Sequence, residues 1–294
     1  MLNFKKLELK DIEPVRAYLP KANSRLCDST AGGIFMWREY FYTEYAIKDD
    51  ALFFKVMYLD GKTAFSIPIG DHVPHGIEEL KRYCRKNLLP LIFCTVSSAN
   101  LALLKKSCEV ISVKKERDWY DYLYASEDII HFSGRKYSGQ RNHINKFKKA
   151  YPDYRFEEIN RDNIEKVKTF LAVFFKDHDT LNATWLEEKK KVYELFDHYF
   201  LYHLSGGMII VDEQAVAISV GEIINDTLFI HVEKADKNYA GSYQMIVNEF
   251  AKYFAADLSY INREEDVGDE GLRISKMSYH PIELLEKSTV EVKV

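Results

Sequence analysis

The sequence predicts two successive copies of one mixed α/β fold, with central sheets flanked by helices. The chain has 294 residues, about twice the roughly 150 of a typical domain. Strand-like and helix-like segments alternate along it. The order read from the first half (strand, two helices, three strands, then helix, strand, helix, strands) is read again from the second. The halves share no visible identity, so the repeat is one of element order only.

The first half opens with a strand near 3–9 and helices over 11–19 and 28–41, the first capped by Asp11. Strands over 42–47, 52–59 and 63–69 follow, the last two joined at Asp60-Gly61, a strong hairpin signal. A helix over 76–87, a strand over 91–97, a helix over 99–107 and strands over 110–114 and 119–124 complete it. In the second half a strand over 154–159 leads to a helix over 161–176, where Ile164, Val167, Phe170, Leu171 and Phe174 recur at helical spacing. A helix over 183–204 precedes a meander of strands over 207–211, 215–222 and 227–233, turning at Asp212-Glu213 and Asn225-Asp226. A helix over 241–256, a strand over 258–263, a helix over 269–279 and a strand near 289–294 end the chain. The expected domains are 1–135 and 153–294, two superposable copies joined by a basic linker helix over 136–152, with the second the active half.

Composition narrows the function. A hydrophobic fraction of 47% and an aromatic fraction of 14% belong to a packed globular protein, not a disordered one. The net charge of −4, from 41 basic and 45 acidic residues, excludes a global polybasic footprint for nucleic acid. The four cysteines never come closer than ten positions, so no CxxC motif supports zinc or redox chemistry, and buried thiols are expected. The start of the chain has no apolar signal region, and no run reaches the roughly 20 apolar residues of a spanning helix. A soluble, cytoplasmic protein is the expectation.

The order of elements resembles that of the GNAT acyltransferase fold. In that fold a strand and a helix of the unit splay apart, and the phosphates of the acyl donor rest on a helix N-terminus. The matching stretch is 231–244, with 238–243 where the Q/RxxGxG/A loop would lie. Gly241 matches, Asn238 replaces the Gln or Arg, and Tyr243 replaces the final small residue. Asn238, Gly241 and Ser242 are the candidate phosphate loop, because main-chain amides at a helix start favour an anion whatever the side chains. The departures weaken acetyl-CoA as donor.

Two motifs go further: RxxINKFxKxYPxY at 141–154 and ExDxGxxGLRxxKxxYxP at 264–281. They resemble those of the bacterial family named for the C-terminal domain of phosphatidylglycerol lysyltransferase, and the resemblance covers nearly the whole chain. It implies kinship with Fem-type peptidyltransferases and lysyltransferases, which move an amino acid from aminoacyl-tRNA to a lipid or a cell-wall peptide. No membrane-spanning portion like that of the lipid enzymes is expected from these residues. The implied donor is aminoacyl-tRNA or acyl-CoA; the implied partners are tRNA, an anionic lipid or a nucleotide-linked substrate.

The residues themselves supply candidates. On a helix Lys276 shares a face with Leu272 and Tyr279, which should point inward. A buried lysine needs a carboxylate or an anionic ligand, and Glu264 and Asp266 are nearest in sequence. Lys276, Asp266 and Glu264, with Arg273 close by, form the candidate catalytic set. There a cation meets the oxyanion of acyl transfer and a carboxylate removes the acceptor's proton. The alternative is a charged capping turn. In the acid-free stretch 133–149, Arg141, Asn145, Lys148 and Lys149 form a polar face opposite Ile144, Phe147 and Tyr151, either a phosphate clamp or a solvated connector. His231 and Glu233, with Glu222 on the neighbouring strand, either line the splay or serve structure. Trp185 is the best substrate contact among the tryptophans. His178, Asp179, His198 and His203 lack the spacing of a metal-binding helix, and no metal is assigned. Three classes remain: an acyl or aminoacyl transferase, a non-catalytic binding protein for a lipid, tRNA or nucleotide conjugate, and an acetyl-CoA-dependent N-acetyltransferase.

Overall fold

Strand pairing divides the chain into two seven-stranded mixed sheets. The computed structural model describes residues 1–58, 61–177 and 183–294. In spatial order the first sheet holds Lys5–Lys6, Glu44–Lys48, Ala51–Met57, Thr63–Phe65, Leu91–Val96, Ser288–Val292 and Val110–Lys115. The second holds Glu283–Leu285, Asp121–Ala125, Tyr260–Asn262, Thr227–Ala235, Gln214–Ile224, Ser205–Val211 and Arg155–Glu158.

The two compact units are interleaved in sequence. One comprises 1–121, 265–273 and 284–294, the other 122–264 and 274–283. This differs from the consecutive domains 1–135 and 153–294 expected from element order. The strand that should have ended each half pairs in the other sheet. Asp121–Ala125 runs antiparallel to Tyr260–Asn262, and Ser288–Val292 inserts between Leu91–Val96 and Val110–Lys115, antiparallel to both. The period of a strand records which of its faces is buried, not which neighbour it joins. Packing makes that choice: Val290 and Val292 are buried with Leu2, Phe53, Phe65, Leu80 and Phe93 in the core of the first unit.

The expected linker is also part of a unit. Helix Ser138–Ala150 belongs to the second, where it packs on helix Ser242–Phe254 and buries Ile144 and Phe147, the apolar face read from the sequence. Helices Ile164–Asp177 and Ser242–Phe254 lie against strand Gln214–Ile224 and bury Val167, Leu171, Phe175, Met245, Ile246 and Phe250. The helix expected over 183–204 ends at Asp197. Two short elements, helix Ser126–His131 and strand Glu283–Leu285, had no clear period in the sequence.

Local chemistry sets several boundaries. Asp212 and Glu213 both take positive φ (48° and 64°), as a tight two-residue hairpin turn requires. The expected turn residue Asp60 lies outside the described residues. Thr30 caps helix Ala31–Trp37 by accepting from the Gly33 N–H at 3.0 Å. At the bulge beside Val220 a side chain on Gly221 would start 1.9 Å from the Phe229 carbonyl oxygen, so only glycine fits.

The feature that positions the site is a short parallel ladder. Thr227–Ala235 pairs with Tyr260–Asn262 at Thr227↔Tyr260, Leu228↔Ile261 and Phe229↔Asn262, and there the pairing stops. Residues 230–235 of the longer strand continue without that partner.

The interleaved topology makes a core position of the last strand a test of the first unit. Val290→Ala should destabilise the protein by about 2 kcal/mol, the value for a buried branched side chain. Urea denaturation should show a lowered midpoint with an unchanged slope; an unchanged midpoint would mean that the strand is not packed in this core.

Candidate functional site

Where the parallel strands of the second unit part, charged side chains replace the ladder. His231 is buried, its side chain 1% exposed, and lies between two carboxylates: Nδ1 is 2.7 Å from Glu264 Oε1 and Nε2 is 2.9 Å from Glu222 Oε1. Burial opposes the charged ring, but the hydrogen bonds and charges of Glu222 and Glu264 outweigh it and carry the imidazole up to about 10. At neutral pH it is an imidazolium that donates from both nitrogens. Glu264 is the more exposed carboxylate, with 21% of its side chain accessible against 8% for Glu222. Among the described residues its second oxygen has no hydrogen-bond partner.

The backbone at Glu264 is held in the left-handed region at φ 55°. The Asn262 side chain accepts its N–H at 2.6 Å, and its carbonyl accepts from the Tyr122 N–H at 3.2 Å. Strand Tyr260–Asn262 is thus turned at its end so that Arg263 and Glu264 follow at the mouth of the parted pair.

Arg263 is the residue that the sequence reading missed. Its side chain is nine-tenths buried; Nη2 donates to Glu233 at 2.6 Å, and the guanidinium carbon lies 4.5 Å from the Tyr279 ring centre and 5.9 Å from that of Tyr124. Nη1 is buried without a hydrogen-bond partner. Arg263 and Glu233 are the polar members of a cavity of about 10 Å³, otherwise lined by Ile129, Leu228, Ile230, Val247, Phe250, Ala251 and Ile261. That is room for about one water-sized oxygen. A buried N–H without an acceptor is costly, so Nη1 favours an added oxygen acceptor. The one signal in the sequence was the place of Arg263 directly after a buried parallel strand.

Lys276 is buried on helix Glu270–Met277, as its position beside Tyr279 foretold, although Leu272 is exposed. Its ammonium donates to the main-chain carbonyl of Arg263 at 2.6 Å and lies 5.7 Å from the Tyr122 ring centre. Lys276 and Glu264 therefore both belong to the second unit, whereas Asp266 and Arg273 belong to the first. There Asp266 is fully buried and accepts from Arg273 (Nε 2.9 Å, Nη2 2.7 Å), from Arg117 at 3.1 Å and from the Gly268 N–H at 2.9 Å. Arg273 also reaches Asp118 at 2.7 Å. With its acceptor positions filled from its own turn and from two arginines, Asp266 fits the charged-turn alternative.

The remaining candidates scatter within the second unit. Arg141 donates to the carbonyls of Phe132 and Gly134, tying down the end of helix Ser126–His131, so it does not join a free basic face. Asn145 and Lys149 are exposed, and Lys148 lies over the Tyr154 ring at 5.8 Å. Gly241 has φ 94°, and a side chain there would start 2.4 Å from the His143 carbonyl oxygen. Ser242 donates its hydroxyl to the Asp236 carbonyl at 2.7 Å and its N–H to Tyr239, while the Asn238 N–H turns to Asp236. Trp185 packs on Phe175 at 5.3 Å and Phe174 at 6.1 Å beneath Lys234, a wall of the core. His178 and Asp179 lie outside the described residues. In the first unit, Cys27, Asp121 and Glu265 bring ligand-type atoms within 4.8 Å of one another, a grouping that the sequence spacing had concealed.

A family model described as phosphatidylglycerol lysyltransferase, C-terminal, matches residues 20–291. The crystal structure of a conserved protein of unknown function from Bacteroides thetaiotaomicron is similar over 100% of both chains, at 32% identity and a TM-score of 0.91. The structure of L-PGS from Bacillus licheniformis is similar over 96% of this chain and 91% of that one, at 12% identity and a TM-score of 0.64. A curated relative, the uncharacterized protein MYCGA3080 of Mycoplasmoides gallisepticum, is 24% identical over 180 residues, 58% of this chain and 56% of its own length. The fold is of the GNAT-like acyltransferase class. Among the described residues no helix is long and apolar enough to cross a membrane.

The imidazolium of His231 is testable by pH. Its folded value lies near 10, above the ordinary 6.5, so its contribution to stability is complete below about 6.5 and is lost as pH rises towards 10. Urea titrations across this window should show falling stability in the wild type and a flatter dependence in His231→Gln. An NMR titration of the ring near 6.5 would contradict the bridged geometry.

Proposed function

The chain belongs to the phosphatidylglycerol lysyltransferase C-terminal family, and from that premise we propose that it is an aminoacyltransferase, moving an amino acid from aminoacyl-tRNA to a lipid or peptide acceptor. Its reacting centre is the splay of the second unit. The observation that carries this reading is the pair formed there by Glu264, with one oxygen held by His231, and Arg263, with one buried N–H still to be satisfied.

Transfer from an ester needs two things. The acceptor must lose a proton as it adds to the carbonyl carbon, and the carbonyl oxygen must be stabilised as it gains charge. Glu264 takes the acceptor's proton and returns it to the hydroxyl oxygen of the departing tRNA. Arg263 Nη1 supplies the donor for the oxyanion from a site already fixed by Glu233 and two tyrosine rings. His231 holds Glu264 in place. Lys276, through the carbonyl of Arg263, is a positioning residue. Asp266 and Arg273 are assigned to the ion pair of their own turn.

The loop at Asn238, Gly241 and Ser242 supports this donor over acyl-CoA. The open face of Gly241 is filled by the His143 carbonyl oxygen, which repels a phosphate, and the Ser242 N–H is already bonded. The phosphates of tRNA or of an anionic lipid fall to Asn145, Lys148 and Lys149 on helix Ser138–Ala150.

The test supplies the purified protein with labelled aminoacyl-tRNAs and phosphatidylglycerol vesicles, and separately with labelled acetyl-CoA and amine acceptors. Label should pass from an aminoacyl-tRNA to the acceptor. Arg263→Met should lower kcat by about 10²–10³-fold with little change in KM, as for loss of an oxyanion donor. Acetyl transfer without any aminoacyl transfer would refute the proposal.

A further inference from the structure

The first unit contains a cluster of nucleophilic and charged side chains that aminoacyl transfer does not use. The Lys287 ammonium, 1% exposed, lies 2.6 Å from Asp28 Oδ2, 2.7 Å from Asp121 Oδ1 and 3.5 Å from Glu265 Oε2. It is also 3.3 Å from the sulfur of Cys27. The thiol lies 3.1 Å from Glu265 Oε2 and 3.4 Å from Asp121 Oδ1, and the Cys27 N–H donates to Asp121 Oδ2 at 2.8 Å.

Cys27, Asp121 and Glu265 have the atoms of a metal site. Lys287 touches all three, so the cation of this cluster is already supplied by the chain. What distinguishes the cluster is the Lys287 nitrogen at contact distance from the Cys27 thiol, with three carboxylates around the pair. Burial, with Asp121 and Glu265, keeps the thiol protonated; burial also excludes bulky reagents, whereas dioxygen is small and apolar and is not excluded in this way. Desolvation together with the charges of Asp121 and Glu265 raises Asp28 to about 6.

We propose that Cys27 and Lys287 form a covalent sulfur–oxygen–nitrogen bridge when the protein meets dioxygen. The S–H bond of Cys27, two N–H bonds of the ammonium and the O–O bond break, and S–O and O–N bonds form. One oxygen becomes the bridge; the other leaves as water with two of the hydrogens, and the remaining proton passes to the carboxylates. Sulfur and nitrogen each give up an electron pair, and the two oxygen atoms take them. The bridge joins residues 260 positions apart, tying the turn Cys27–Ser29 to the residue just before strand Ser288–Val292.

The test compares wild-type protein purified and held without oxygen with the same protein exposed to air. Intact mass in denaturant should rise by one oxygen and fall by two hydrogens. One of the four thiols should be lost to alkylation. Peptides containing Cys27 and Lys287 should remain linked until dithiothreitol is added. Cys84→Ser should still form the bridge, and Lys287→Met should leave the Cys27 thiol free. Four reactive thiols and an unchanged mass in the aerated wild type would overturn the proposal, and so would an oxygen gained on Cys27 without linked peptides. None of these readouts depends on transferase activity.

Discussion

The parallel ladder between Thr227–Ala235 and Tyr260–Asn262 runs for three residue pairs and stops, and the candidate site exists because it stops. Main-chain groups released from a ladder inside a protein must be satisfied in some other way. Here Asn262 accepts the Glu264 N–H, Tyr122 donates to the Glu264 carbonyl, and Lys276 donates to the carbonyl of Arg263. The substitutes are side chains and a neighbouring strand, so the parting is fixed and not frayed. Its width brings His231, Glu233, Arg263 and Glu264 to one place.

The charges in the second unit follow from the same constraint. A buried ion pair adds little net stability, because desolvation offsets most of its attraction; loss of one partner leaves an isolated charge and costs about 3–5 kcal/mol. The two buried cations at the splay are compensated in this way: His231 by two carboxylates, Arg263 by Glu233 and two rings. The exceptions are informative. Arg263 Nη1 is a buried donor left over from these networks, and among the described residues the second oxygen of Glu264 has no hydrogen-bond partner. In the first unit Asp266 shows the opposite case, a carboxylate saturated by Arg117, Arg273 and Gly268.

Much of the local structure was legible in the sequence. The helical face of Ile144 and Phe147, the meander with its turns at Asp212-Glu213 and Asn225-Asp226, and the buried lysine at 276 all follow from spacing and turn chemistry that act over a few residues. The motif at 264–281 pointed to Glu264 and Lys276. It could not separate them from Asp266 and Arg273, which share the charge pattern but fold into another unit.

By itself the sequence determined most of the element order, the mixed α/β class, the family motifs and the lack of an apolar run of spanning length, because period, turn residues and composition are properties of neighbouring positions. Only the tertiary structure decided which sheet each closing strand joins, that Arg263 stands at the splay, that Arg141 and Gly241 are taken up by packing, and that Cys27 meets Lys287. Those outcomes rest on contacts between residues far apart in the chain, selected by complementary buried surface and by the need to compensate every buried charge. No local pattern encodes them.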